Sequence, residues 1–144
     1  MREVNPPCWS RTFSSAWTGP ARCGYYTGGA LDSQRIWAAG ANAVGEHMTT
    51  DPGIDVVRLG VVRGGGAPGR RGYDQWVEIY SVQVATAAAD GHFEPVTSRA
   101  NATVFTGNSD RSSRVYGWFA APVLVRYVRI TVQAWKGWIS MRAG

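Results

Sequence analysis

The sequence predicts an all-β fold of the sandwich or barrel class, and three observations carry that expectation. Val, Trp, Tyr and Thr prevail where a helical bundle would use Leu and Ala, and Leu occurs only at Leu31, Leu59 and Leu124. Two runs, Trp76–Ala85 and residues 123–132, alternate apolar and polar positions with the period of a strand. Turn signals built on Gly and Asn recur between the short apolar runs. At 144 residues, one domain spanning 1–144 is expected, large enough to bury a core without metals or many disulfides.

From the N-terminus, the chain reads as irregular to about Gly60, because Ser, Thr, Gly and Pro recur in SSAWTGPARCGYYTGG. Residues 31–37 could hold one helical turn capped by Asp32 or Ser33. A strand is expected at 54–59, broken by Gly64-Gly65-Gly66 and Pro68-Gly69. In the strand from Trp76, Val77 and Ile79 take one face and Val82 and Val84 the other phase. The alternation therefore slips near Tyr80, which predicts a β-bulge. Ala89-Asp90-Gly91 marks a hairpin turn. Residues 102–105 form a short strand ended by Gly107-Asn108, residues 123–132 form a long one, and 138–141 form the last. In the long strand, Val128, Ile130 and Val132 oppose Tyr127, Arg129 and Thr131.

The net charge is +5, and every cation but Lys136 is Arg. Arg suits planar contacts to carboxylate, sulfate, phosphate or sugar hydroxyls, although a codon bias would produce the same composition. The cations are scattered from Arg2 to Arg142, without the block that marks a nucleic-acid arm, so no nucleic-acid partner is expected. No apolar run is long enough to span a membrane, and MREVNPPCWS lacks the apolar core of a signal peptide. Cys8 and Cys23 could pair, stay free or pair elsewhere.

Six segments, in order, resemble one family. They are Leu31-Asp32-Ser33 with Trp37; Arg58-Leu59-Gly60; Gly64 through Gly69-Arg70; and Tyr73-Asp74-Gln75-Trp76-Val77 with Tyr80 and Val82. Phe105-Thr106-Gly107-Asn108 with Asp110 follows, then Arg126-Tyr127-Val128-Arg129-Ile130 with Trp135 and Ile139 to Arg142. Together they cover nearly the whole chain and are similar to the discoidin, or coagulation factor V/VIII C-type, domain. The resemblance implies an antiparallel jelly-roll β-sandwich of about eight strands with long ligand loops at one end. It also implies a non-catalytic module of an extracellular or cell-surface protein, binding sugars, anionic phospholipid, heparin-like polymers or proteins. The fold does not choose among these. The family's N- to C-terminal cysteine staple would begin at Cys8, whereas this chain stops at Gly144 before a second cysteine. The segment between Gly60 and Gly64 is shorter than usual.

The family's ligand loops map onto three stretches. The first holds Trp17, Arg22, Tyr25 and Tyr26, the second Arg35 and Trp37, the third Arg70, Arg71 and Tyr73. Aromatic faces beside guanidinium donors suit the C–H faces and hydroxyls of glycans, and equally sulfated or phosphorylated groups. Tyr25, Tyr26, Arg70 and Arg71 are the leading exposed contacts, whereas Trp37 reads as either a contact or core. Trp76 and Trp135 read as packing residues. Arg126 reads as an inward structural residue with Asp110 or Asp32 as its partner, and Arg129 as solvated surface.

Catalytic and metal signals are poor. His47 and His92 have no ligand spacing with Cys or acids, and no nucleophile motif accompanies the serines. No cofactor is expected, since a calcium site at Asp32 would lack its C-terminal acid. Asn101-Ala102-Thr103 is a glycosylation sequon. The leading expectation is lectin-like binding of cell-surface or matrix carbohydrate. The alternatives are an anionic-phospholipid module or a protein-interaction domain of a larger protein.

Overall fold

The computed structural model describes residues 10–17, 29, 36–53, 55–64, 75–86, 92–110 and 113–144. Among them are β1 (Arg11–Phe13), β2 (Trp37–Ala38), β3 (His47–Thr50), β4 (Asp55–Gly64) and β5 (Trp76–Ala85). Then come β6 (Glu94–Val96), β7 (Phe105–Thr106), β8 (Val115–Val125), β9 (Tyr127–Lys136) and β10 (Ser140–Ala143). One sheet of six runs β1-β3-β9-β5-β6 with β7 also on β5, and a sheet of four runs β2-β10-β4-β8. All pairings are antiparallel. The all-β sandwich stands, with ten strands among the described residues where about eight are expected.

The core lies between the sheets, where Met48, Val77, Tyr80, Val82 and Val132 of the larger sheet meet Trp37, Val62, Phe119, Val125 and Met141 of the smaller. In β9 the expected alternation holds: Ile130 and Val132 are buried, whereas Arg129 and Thr131 lie on the outer face. That outer face is polar. Thr131 Oγ1 donates to Gln83 Oε1 at 2.6 Å, while Gln83 Nε2 and Gln133 Nε2 donate to Ser81 Oγ at 2.8 and 3.1 Å.

The bulge expected in β5 is present, between Val77 and Tyr80, where the register against β9 shifts twice. Val77 and Ile79 do not share a face, however: Val77 is buried and Ile79 is 39% exposed. The slip falls earlier than the sequence suggested, so that Tyr80 regains the core.

Residues 123–132 are not one strand. β8 ends at Val125 in the smaller sheet and β9 begins at Tyr127 in the larger, with Arg126 alone crossing between them. The backbone N–H of Arg126 donates to Ala85 O at 2.7 Å, fastening the crossing to the end of β5. No Gly or Pro marks this corner. β8 itself reads backwards, since bulky Tyr116 and Trp118 face outward and Gly117 faces the core. Gly117 is paired with Gly60 of β4, and a Cβ at Gly117 would collide with the Tyr80 hydroxyl arriving from the opposite sheet. That hydroxyl is buried without a hydrogen-bond partner, and burial pushes its pKa well above the usual phenol range.

Three strands also occupy the region expected to be irregular, β1, β2 and β3. β1 is held by Arg11, whose buried guanidinium Nη1 donates to Ala143 O at 2.6 Å and Gly29 O at 3.1 Å. Burial lowers the Arg11 pKa to about 10, so it stays charged near neutrality. The strands expected at 102–105 and 138–141 are Phe105–Thr106 and Ser140–Ala143. The residues after Phe105 make a fastening turn. Asn108 Nδ2 donates to Val62 O and Ser113 O at 3.2 and 2.9 Å, and Asp110 accepts from Ser113 N and Oγ at 2.6 and 2.7 Å. Of the helical turn expected at 31–37, residues 31–35 lie outside the described residues and Trp37 opens β2 instead. The glycines from Gly65, the turn at Ala89-Asp90-Gly91 and both cysteines also lie outside the described residues.

Candidate functional site

Antiparallel register sets two ends of the sandwich. At one, β5 begins at Trp76 opposite the last residue of β9, Lys136, and β10 begins at Ser140 opposite Ala38. Two of the three stretches expected to carry ligand attach here, one following β1 and residues 65–74 joining β4 to β5. The third enters β2 at Trp37, opposite Met141 and away from this end, and reaches it only as the chain leaves β2 at Ala39 and Gly40. At this end Trp17 is 51% exposed, with its ring edge-on to Trp138 at 5.0 Å and 80°.

Both residues are tied to adjacent carbonyls at the end of β2. The Trp17 N–H of the backbone donates to Ala38 O at 2.9 Å, and the Trp138 indole N–H donates to Ala39 O at 2.7 Å. The link bearing Trp138 is fixed by Asn42, which accepts from Ile139 N at 2.9 Å and donates to Gly137 O at 3.2 Å. Gly137 turns that link at φ 68°, a conformation that favours glycine. On the other side, Ser15 Oγ accepts from Gly40 N at 2.9 Å and donates to Glu46 Oε1, while Ser14 Oγ donates to Glu46 Oε2 at 2.8 Å. A Cβ at Gly40 would press on Ala16 O at 2.9 Å, so this approach requires glycine. The exposed ring of Trp17 thus stands on a hydrogen-bonded base rather than on a free loop.

Beside it, the Lys136 ammonium lies 5.1 Å from the Trp76 ring centroid, within cation–π range. Trp76 is buried, as a packing residue should be, yet its indole N–H has no hydrogen-bond partner. Trp135 packs half-buried against the core.

Of the expected ligand contacts, Trp17 is exposed at this end. Trp37 is not: it is fully buried, stacks on Phe13 at 5.8 Å and donates its indole N–H to Ser15 O at 2.8 Å. It supports the base of the site from within the core, and its ring presents no face to a ligand. Arg22, Tyr25, Tyr26, Arg35, Arg70, Arg71 and Tyr73 lie outside the described residues. Trp138 and Lys136 were not singled out in the sequence, where Trp138 reads as the start of a strand. The Lys-Gly-Trp run, a glycine between two large side chains, is the signal of a turn at that point.

The opposite end is closed by ion pairing. Arg126 lies at the surface and pairs with Asp51 (Nε to Oδ1 3.4 Å) rather than with Asp110 as an inward reading suggests. Asp32, the other expected partner, lies outside the described residues. Hydrogen bonding to the Asp51 carboxylate raises the Arg126 pKa. Arg129 is not plain solvated surface: its Nε donates to Thr49 Oγ1 at 3.0 Å, its guanidinium lies 4.0 Å from the Phe93 centroid, and burial lowers its pKa. Among the described residues no three His, Cys, Asp or Glu side chains gather as a metal site. None of the described helices is long and apolar enough to cross a membrane.

Comparison with known proteins agrees with this geometry. The model of the F5/8 type C domain matches residues 12–144. Retinoschisin of Takifugu rubripes is 36% identical over 89 residues, which are 62% of this chain and 32% of that protein. The match thus spans about a third of that relative's length. Among solved structures, discoidin II of Dictyostelium discoideum superposes with a TM-score of 0.68 at 16% identity, covering 99% of this chain and 58% of that one. Chitosan-binding module 2 of a Paenibacillus sp. IK-5 chitosanase/glucanase, in complex with chitotriose, gives 0.65 at 12% identity, covering 96% and 94%. The CBM32 module of AlyQ, in complex with 4,5-unsaturated mannuronic acid, gives 0.64 at 15%, covering 98% and 96%. At such identities these structures establish the shared fold.

Proposed function

The chain belongs to the F5/8 type C domain family, and from that membership we propose that this binding module recognises carbohydrate at its loop-bearing end. The observation that carries the reading is the exposed ring of Trp17, set edge-on to Trp138 and held on the β2 backbone. A rigid, solvent-facing indole offers a sugar's C–H face a stacking platform at little entropic cost. Guanidinium donors from Arg22, Arg35, Arg70 and Arg71 complete the site, with Tyr25, Tyr26 and Tyr73 as further stacking surfaces. Two solved structures of the same fold hold chitotriose and an unsaturated mannuronic acid, which supports a glycan as ligand. The module performs no catalysis of its own. In a longer extracellular or cell-surface protein it directs the remainder to a glycan-bearing surface.

A glycan array followed by calorimetry on the best binder tests this. Trp17→Ala is expected to weaken binding about tenfold, equivalent to ~1.4 kcal/mol, with the thermal midpoint unchanged. Undiminished affinity would remove Trp17 from the site. A blank array beside salt-sensitive binding to phosphatidylserine vesicles would move the same exposed indole to a lipid headgroup.

A further inference from the structure

A second surface stands apart from the loop-bearing end. On the outer face of the four-stranded sheet, Val61 pairs with Tyr116, Leu59 with Trp118 and Val56 with Leu124, forming an apolar strip along β4 and β8. Tyr116 is 55% exposed and Trp118 36%. As residues i and i+2 of one strand they stand about 7 Å apart on the same face. The Arg99 guanidinium lies 4.4 Å from the Trp118 centroid, and exposed Arg58 rises from the register shift between Val57 and Leu59. β8 contains no acidic residue and β4 only Asp55, at its far end.

We propose that this strip is a second, independent carbohydrate site, shaped for an extended acidic glycan. Tyr116 and Trp118 stack on successive sugar faces, while Arg99 and Arg58 take the carboxylates or sulfates. Three observations disfavour other occupants. Strand addition is blocked beside Trp118, because Arg99 N donates to Trp118 O at 2.8 Å and Ala120 N to Thr97 O at 2.9 Å, covering the β8 edge from Trp118 to Ala120. Two-fold pairing of this face with a second copy would bring the unopposed cations Arg58 and Arg99 toward their own equivalents. Membrane insertion favours protruding tips, whereas this strip lies along the flank of the sandwich.

The test measures binding of a size-fractionated heparin oligosaccharide to the full chain, for wild type and for Trp118→Ala, Tyr116→Ala, Arg99→Gln and Trp17→Ala. Thermal melts report folding, and Arg99→Gln touches no core packing, so at least one variant remains informative. The sheet variants are expected to lose about tenfold or more in affinity, and more of it at low salt, while Trp17→Ala keeps wild-type affinity. Equal affinity in all the variants overturns the proposal. Loss in Trp17→Ala alone overturns it too, leaving one site at the loop end. Vesicle binding, or dimerisation seen by ultracentrifugation, that depends on Trp118 without any oligosaccharide binding also overturns it. Because Trp17 and Trp118 report on different surfaces, failure of either site leaves the other readable.

Discussion

The two sheets of this sandwich are opposites. The six-stranded sheet sends Tyr80 inward and keeps a polar outer face, where Thr131, Gln83, Ser81 and Gln133 satisfy one another. The four-stranded sheet shows glycine inward, at Gly117, and turns Tyr116 and Trp118 to solvent. Both sheets put bulk into the core, but at Gly117 the smaller one makes room for Tyr80 and carries aromatic surface outside. Packing explains the glycine, since the phenol of Tyr80 fills the space a side chain would need. Packing explains the aromatics only in part, since Tyr116 stays 55% exposed and Trp118 36%. Their placement is the kind that a partner explains.

The sharpest way to break this complementarity is to fill the glycine socket. Gly117→Ala sets a methyl group against the Tyr80 hydroxyl and Phe105 in a fully buried position. A loss of about 1–3 kcal/mol is expected in chemical denaturation. Adding Tyr80→Phe should recover part of it, because the colliding oxygen is gone; no recovery would place the strain elsewhere.

A smaller effect is expected at alkaline pH. Tyr80 has no hydrogen-bond partner, and burial raises its pKa in the folded state. The unfolded chain therefore releases this proton near pH 10 while the folded chain retains it, so stability falls as pH rises past that point. The Tyr80 contribution amounts to roughly 1.4 kcal/mol by pH 11. Arg11, lowered to about 10, works in the opposite sense, because the folded state gives up its proton first. Comparing wild type with Tyr80→Phe isolates the phenol, and the variant should lose less stability from pH 9 to 11. Parallel curves would mean that the hydroxyl is solvated.

The smallest effect has the opposite sign. Gly60 pairs directly with Gly117, yet a Cβ built there meets nothing within 4 Å, and its φ is not positive. Gly60→Ala is expected to be tolerated and to raise stability by about 0.4–1 kcal/mol, by restricting the unfolded chain. Destabilisation would show that both halves of the glycine pair are needed.

The same contrast explains what could be read from the sequence. β5 and β9 announce themselves, because their apolar residues face the core and their polar residues face out. The bulge in β5 was legible for the same reason, although Ile79 fell on the exposed side of it. The first half of β8 was missed: Tyr116 and Trp118 face outward on either side of an inward Gly117, which inverts the rule by which strands are recognised, although Phe119 follows it. Its junction with β9 was equally hidden, since Arg126 changes sheets in one residue with no breaker beside it. β1 was concealed by Arg11, a charged residue in a core position that only its bonds to Ala143 and Gly29 make tolerable. At the loop end, the segment resemblance located the stretch holding Trp17. It could not separate Trp17, which faces solvent, from Trp37, which faces inward, because both are tryptophans beside glycine-rich turns. Lys136 reaches this end through its register opposite Trp76, and Trp138 through its bond to Ala39 O, neither of which a local pattern encodes.

The position of β10 has a consequence for the order of assembly. It is the last strand in sequence, yet it lies inside its sheet, hydrogen-bonded to β2 on one side and β4 on the other. Arg11 reaches across 132 residues to the carbonyl of Ala143 at its end. During synthesis, therefore, the earlier strands can pair among themselves, but β2 has no neighbour in its sheet until residues 140–143 have left the ribosome. A chain cut before Ser140 would not merely be shorter. It would leave β2 without its partner strand and the backbone bearing Trp17 less fixed, so recognition waits on residues 140–143.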